Sequence, residues 1–236
     1  RQSAGAAPPR LLTGSDQDSD IAQLLDGHLA EGTGPRWPEP LDESVRALRG
    51  FRTELRETMM RATEYGIDPG RLRALAKTHD RPEWAAVADF QAEYVQVLGE
   101  LRPDQLDAAE LAAAAARSID AGIMPESVSS LRLVLVDDVQ DATQSTVSVL
   151  RALVGQGVRI IAMGDPDVAI TAFRGGEADL VSRFGLAVGI NDIVTLRLRG
   201  SHRQPTGLLA LTGAVTRRIG TAETVGHRNP DAPTRN

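Results

Sequence analysis

Two short apolar, β-branched runs constrain this chain most: LRLVLVDD at residues 131–138 and VRIIAMGD at residues 158–165. Each ends on aspartate. Between them, ATQSTVSVLRALVGQG (142–157) has the length of a helix and closes on glycine. Strand, helix and strand at this spacing make a βαβ unit, with parallel strands and a right-handed crossover. The runs are continuously apolar rather than alternating, which predicts a sheet covered on both faces. The loop PDVAITAFRGGE (166–177) and a short helix, EADLVSRFG (177–185), lead to DIVTLRL (192–198), which predicts a third strand. RGSHRQP (199–205) and a last helix, TGLLALTGAVTRRIG (206–220), follow, and residues 221–236 form a polar tail.

Upstream the pattern is helical. RLLTGSDQDSDIAQLLDGHLAEG (10–32) predicts a short strand, a turn and a helix capped by Ser15 or Asp16. GTGPRWPEP (32–40) is a Gly/Pro-rich linker. Val45, Leu48, Phe51, Leu55 and Met59 recur at three- and four-residue steps and predict one buried helical stripe. Asp68 and Pro69 open a short helix. Trp84, Val87, Phe90 or Gln91, Tyr94 and Leu98 form the stripe of the next, and an Ala-rich stretch (106–122) makes a fourth. These four predict a helical satellite bundle beside the α/β part.

Composition removes several chemistries. There is no cysteine, so disulfides and thiolate metal sites are excluded, and four scattered histidines do not make a zinc cluster. No apolar run reaches the roughly 18 residues of a membrane span, and RQSAGAAPPR lacks the apolar core of a signal peptide. The expectation is a cytoplasmic protein with no membrane partner. A net charge of −6 gives no general nucleic-acid footprint, although local arginine clusters (Arg49, Arg52, Arg56; Arg71, Arg73) are candidate phosphate contacts or a solvated helix face. The chain does not begin with Met, which suggests a piece of something longer.

The two strand ends place carboxylates along the carboxyl edge of a parallel sheet, where open α/β sheets bind ligands. Asp137 at a strand end suits a hard cation such as Mg²⁺ held mainly through water. Asp138 points differently and can polarise water, and Asp165 follows the next strand. Arginines able to reach a γ-phosphate, such as Arg174 and Arg203, stabilise phosphoryl-transfer charge. A second reading stands beside this one. An Asp pair after a strand is also ordinary turn chemistry, Gly164-Asp165-Pro166-Asp167 is an ordinary Pro turn, and Asp141 before Ala-Thr reads as a helix cap.

Taken together, VLVDDVQDAT, GDPDVAITAFRGGE and LRLRGSHRQP resemble motifs II, III and IV of the UvrD/Rep branch of superfamily 1 DNA helicases, over residues 131–219. The upstream text is similar to the helical 1B insertion of actinobacterial members, among them the paired-motor helicase–nucleases of double-strand break repair. The resemblance implies an α/β, P-loop NTPase (RecA-like) parallel-sheet fragment with an inserted helical domain. Residues 1–35 would end the first part of domain 1A, 36–125 would be 1B-like, and 126–220 the C-terminal part of 1A, before the tail at 221–236.

In that scheme Asp137 is the metal and nucleotide ligand, and Asp138 stands where the family has a catalytic Glu. Gln140 couples nucleotide to DNA, and Asp165 belongs to the nucleotide site. Arg203 reaches the γ-phosphate in binding and catalysis, while Phe173, Arg174 and His202 contact DNA. The implied cofactors are ATP and Mg²⁺, weakly held or not held by this fragment. The implied partners are single-stranded DNA, a duplex junction and a partner helicase–nuclease subunit.

The departures from the family pattern are specific. Asp138 is one methylene shorter than Glu, Val168 replaces a γ-phosphate-sensing Gln, and Thr171 and His202 each replace a Tyr. The only lysine, Lys77, has no glycine loop before it, so the chain has no Walker A motif. The expectation is that this chain alone does not hydrolyse ATP. The rival expectation is a degenerate helicase-like subunit that binds DNA or a partner motor without cycling nucleotide.

Overall fold

A computed structural model describes residues 9–102, 104–171, 175–198 and 205–218. The chain forms two compact units, Arg1–Ala115 and Ala116–Asn236. In the first, strand β1 (Arg10–Leu11) runs parallel to β2 (Gln105–Leu106), with Arg10 opposite Gln105. Helix α1 (Gly14–Glu31) follows β1 directly. Its cap is Thr13, not Ser15 or Asp16: the Thr13 hydroxyl accepts the Asp16 amide, and the Asp16 side chain returns to the Thr13 amide. This reciprocal box fills two orphan donors of the first turn, and it needs the acidic residue at the third helical position rather than at the cap. Gly32 ends α1 in the left-handed region at φ 65°.

The stripe from Val45 to Met59 is interrupted. Helix α2 (Glu43–Arg46) is capped by Asp42, and α3 (Arg49–Glu64) begins after Leu48, which is extended and 59% exposed. Leu55 and Met59 are buried as expected, while Leu48 faces water because it lies outside the helical turn. Helix α4 (Pro69–Thr78) is capped by Asp68 with Pro69 in its first turn, and α5 (Pro82–Leu101) carries the Trp84-to-Leu98 stripe. The core of this unit is Ile21, Leu55, Met59, Leu72, Val87 and Phe90, with Trp84 and Leu98 packed against it.

The bundle therefore takes α1 and not the Ala-rich helix as its fourth member. That helix, α6 (Ala108–Asp120), sends Ala116 and Ile119 into a cluster with Ala152, Leu153 and Val158. Its alanines offer too little surface to anchor a bundle, whereas Ile21, Leu24 and Leu25 of α1 supply a continuous apolar face.

In the second unit α7 (Glu126–Ser129) precedes β3 (Leu133–Val136), which pairs in parallel with β4 (Arg159–Ala162) across helix α8 (Gln144–Gly155). Leu133 lies opposite Arg159 and Val136 opposite Ala162. The expected βαβ unit is present. Val134, Val136, Ile160 and Ala162 pack against a core of Val139 from the turn after β3, Val147 and Leu150 of α8, and Leu180, Phe184 and Val188 of helix α9 (Leu180–Val188).

Two expectations fail here. The sheet is covered on one face only: Leu133, Leu135, Ile161 and Met163 are 41–62% exposed. The apolar code was written for two covered faces, but among the described residues no element lies over the second. Nor is DIVTLRL a strand. Among the described residues, 192–198 find no pairing partner, and Val194, Leu196 and Leu198 are more than 80% exposed, so the β propensity of this run meets no ladder there to complete. Helix α10 (Thr206–Thr216) closes the described chain. Among the described residues no helix is long and apolar enough to cross a membrane.

Burial lifts the Glu110 carboxyl above its ordinary 4.5, and the Asp107 amide that it accepts opposes this in part. An acid raised in the folded state binds protons more tightly there than when unfolded. Its stabilising contribution is complete below the unfolded value and is lost as pH rises through the folded one. Glu110→Gln keeps the acceptor for Asp107 and removes the buried charge. We expect the variant to melt higher than the parent at about pH 7, with the gap closing toward roughly pH 3; thermal melts at both pH values check this. Separately, Phe90→Ala should cost the first unit about 3–5 kcal/mol, read by denaturant unfolding.

Candidate functional site

The end of β3 sets the geometry. After Val136 the chain turns at Asp138, which takes φ 50° and ψ 45°. Only one other non-glycine residue among those described has a positive φ: Asp80, just past the end of α4. Left-handed aspartate is tolerated because its short polar side chain bonds locally, at a cost of about 1–2 kcal/mol. At Asp80 the conformation ends a helix, as left-handed residues commonly do. At Asp138 it ends a strand and turns the backbone so that both carboxylates are exposed at the sheet edge.

Local bonds hold the turn. The Asp138 amide donates to Asp137 Oδ1 at 3.0 Å. Val139 N–H donates to Met163 O at 3.0 Å, and Met163 N–H to Val136 O at 2.8 Å, so the ladder of β3 and β4 continues one step past the strands. A single 3₁₀ turn over Val139–Asp141 then brings Gln140 inward.

Gln140 joins the two carboxylate-bearing segments. It is 1% exposed, the most deeply buried polar residue described. Its Nε2 donates to Asp138 Oδ1 at 3.2 Å, and its Oε1 accepts the Asp165 amide at 3.1 Å. Gly164 leaves the room for this. A Cβ at Gly164 would stand 2.6 Å from Gln140 Oε1, 2.9 Å from Val139 Cγ1 and 3.1 Å from Val181 Cγ2. Asp165 then uses its own carboxylate to accept the Asp167 amide at 3.0 Å, capping a 3₁₀ turn over Pro166–Val168.

Thus Asp137, Asp138, Gln140 and Asp165 lie together, on consecutive turns at one edge of the sheet. Phe173, Arg174, His202 and Arg203 lie outside the described residues. Val168 is 48% exposed and offers only an apolar side chain. In the first unit three of the candidate arginines are engaged internally. Arg52 pairs with Asp18 at 3.3 Å, Arg56 donates to Gly14 O at 3.0 Å, and Arg73 pairs with Asp89 at 2.5 Å. Arg49 and Arg71 are exposed.

The donor set limits what can be held here. Asp137 and Asp138 are hard oxygen donors, each with one carboxylate oxygen outside the bonds above. Among the described residues no group of three His, Cys, Asp or Glu side chains could enclose a metal ion. Two carboxylates and no cage fit a cation such as Mg²⁺, which keeps several waters and takes further ligands from phosphate. They do not fit an ion bound by protein alone.

Asp141 does not cap α8. Thr143 does, with its hydroxyl accepting the Thr146 amide, and Asp141 instead accepts the Thr171 hydroxyl at 2.5 Å. The helix starts two residues later than the sequence reading placed it, because Thr143 takes the extended backbone (φ −88°, ψ 167°) usual for a cap.

The family model for the UvrD/REP helicase N-terminal domain matches residues 10–187. A comparison with curated proteins gives no match.

Gly164→Ala forces a methyl against Gln140 Oε1 and Val139 Cγ1 in a packed interior. We expect a loss of about 1–3 kcal/mol in the second unit, measured by denaturant unfolding. An unchanged midpoint would show that the space around Gln140 is not tight.

Proposed function

The chain belongs to the UvrD/REP helicase N-terminal domain family, and from that premise we propose that it is the part of an ATP-dependent DNA helicase that brings a carboxylate turn to the nucleotide. The whole motor would couple Mg-ATP hydrolysis to translocation along single-stranded DNA and to duplex unwinding in DNA repair. One observation supports this reading above the others: the buried Gln140 ties the Asp138 carboxylate to the backbone of Asp165, making one rigid edge of two strand ends. A turn needed only to reverse the chain has no use for an amide side chain buried between two segments.

Each residue then has a task. Asp137, exposed at the strand end, would hold a Mg²⁺ ion, mainly through water. The bound ion would supply neutralisation of phosphate charge. Asp138 holds one oxygen on Gln140 and presents the other toward an attacking water, so its orientation is fixed before substrate arrives. Being one methylene shorter than Glu, it reaches about 1.5 Å less far, and a misplacement near 1 Å can cost about a hundredfold in rate. Gln140 relays displacement between this turn and Asp165, and Asp165 serves the nucleotide side of the same edge. Arg203 acts on the γ-phosphate. Phe173, Arg174 and His202 act on DNA, with Phe173 stacking on a base.

In family terms we assign residues 1–35 to the end of the first 1A part, 36–125 to a 1B-like domain, 126–220 to the returning part of 1A and 221–236 to a tail. The sheet is that of a RecA-like P-loop motor. DNA at a junction of single strand and duplex is the main partner, and a helicase–nuclease subunit of the actinobacterial paired-motor type is a second. We propose a cytoplasmic location for the protein.

Val168 and Asp138 favour a second reading. An exposed valine cannot hydrogen-bond a γ-phosphate, and a shortened carboxylate weakens water activation. Both suit a subunit that holds DNA or a partner motor without hydrolysis.

ATPase assays with and without oligodeoxythymidylate, run beside fluorescence anisotropy with the same oligonucleotide, test what both readings expect of this chain, and the same ATPase assay on the whole motor separates them, since only the first reading expects turnover there. This chain should bind the strand and show no DNA-stimulated turnover, since Lys77 stands in no phosphate loop. Turnover that Asp137→Ala abolishes would contradict that expectation. Failure to bind the strand would contradict the assignment of DNA contacts to this chain.

A further inference from the structure

The first unit carries its charge unevenly. Residues 14–43 hold eight acidic residues and a single arginine, Arg36. Three of the acids in α1 are engaged inside the unit: Asp16 closes the cap with Thr13, Asp18 pairs with Arg52, and Asp20 with Arg102. Asp26 of α1 and Glu43 of α2 are exposed, and among the described residues their carboxylates have no hydrogen-bond or ion-pair partner. Both border one groove. Leu25, Asp26 and Leu29 of α1, with Asp42, Glu43 and Ala47 at α2, line a cavity of about 420 Å³. A smaller cavity of about 170 Å³ shares Leu25, Leu29 and Arg46 with it and extends the groove to His28 and Trp37. Leu29 is 50% exposed there. Arg46, the cationic side chain of this lining, donates to Leu41 O at 3.2 Å.

The inner end of the groove is rigid. The amides of Gly32 and Thr33 both donate to His28 O, which folds the chain back at the end of α1. Gly34, at φ 89°, then lies against the His28 ring: a Cβ there would stand 2.5 Å from its Cγ and Nδ1. His28 itself is buried, with Nε2 2.9 Å from both Glu93 carboxylate oxygens. Trp37 is set edge-on against Phe51, with ring centroids 5.2 Å apart. An apolar hollow already formed in this way loses little conformational freedom when it is filled.

We infer that this groove docks a segment of a partner protein: an amphipathic helix whose aliphatic side chains enter beside Leu25, Leu29 and Trp37, with lysines or arginines against Asp26 and Glu43. Charge selects this occupant. Unpaired carboxylates at the rim of an apolar hollow attract a basic segment and repel a phosphate backbone. The apolar floor in turn rewards aliphatic anchors spaced along one helix face. A nucleic acid satisfies neither condition. The inference goes beyond the reading of the Asp137–Asp138 turn and does not depend on it, because every residue it uses belongs to the first unit.

The chain has two tryptophans, so Trp84→Phe leaves Trp37 as the fluorescent reporter of the groove. The probe is a synthetic amphipathic helix of leucine and lysine, added to the full chain. It should change the Trp37 emission saturably, and the same peptide with glutamate in place of lysine should not. Leu29→Asp, and separately Asp26→Lys with Glu43→Lys, should each weaken binding at least about tenfold. Glu100→Lys with Asp104→Lys reverses two exposed acids outside the groove and should leave the affinity within about twofold. Circular dichroism checks that each variant is folded. Equal losses from the two charge reversals would show only general attraction to an acidic protein and would overturn the inference. So would equal binding of the glutamate peptide, or competition by oligodeoxythymidylate for the same site. Dimers seen by sedimentation and dissolved by Leu29→Asp would make the occupant a second copy of the chain and overturn the choice of partner.

Discussion

Burying Gln140 withdraws an amide with two donors and a two-lone-pair acceptor from water, and the second unit is organised around satisfying it. Asp138 takes one donor, and the Asp165 amide fills the acceptor. Leaving such a group unmatched costs about 1–3 kcal/mol, comparable to the left-handed turn at Asp138 that lets its carboxylate reach Gln140. The two features sustain each other. The turn aims the carboxylate, and the amide fixes the turn. Gly164 is part of the same arrangement, because any larger residue would occupy the space that the Gln140 oxygen uses.

Around this point the two units differ in how completely they are packed. The first closes a core on Phe90 and Ile21, both fully buried, and its arginines are largely engaged with its own carboxylates and carbonyls. The second unit has one covered sheet face and one bare one, with Leu135 and Ile161 in the open. A two-stranded parallel sheet is held here by its helices and by the polar ties at its carboxyl edge. Those ties therefore position the candidate site and also stabilise the sheet that carries it.

Much of this was legible in the residues. The βαβ unit followed from two apolar runs and a helix-length spacer, the start of α4 from Pro69 after Asp68, and the stripe of α5 from apolar periodicity. Asp137, Asp138 and Asp165 were singled out by their places at the strand ends and Gln140 by the resemblance, and the four lie together. What could not be read depended on neighbours. Whether DIVTLRL becomes a strand turns on a pairing partner that composition does not reveal. The place of α1 in the bundle turns on which apolar face the other helices leave open. Leu48 fits the helical period, yet the helix breaks at that residue. Asp141 was misread as a cap for a different reason: Asp is a good cap, and only the fold shows that Thr143 takes that place while Asp141 is bonded to Thr171.

The account depends on Gln140 holding the Asp138 turn and the Asp165 segment as one edge, and native-state hydrogen exchange at the Asp165 amide tests that most directly. Asp165 has an exposed side chain, but its N–H is bonded to a side chain that is 1% exposed. If the bridge holds, this amide exchanges only through the opening that also releases Val139 N–H from Met163 O, so the two share one opening free energy. If Asp165 exchanges freely while Val139 stays protected, the bridge does not hold in solution and the two carboxylate segments are not a single site.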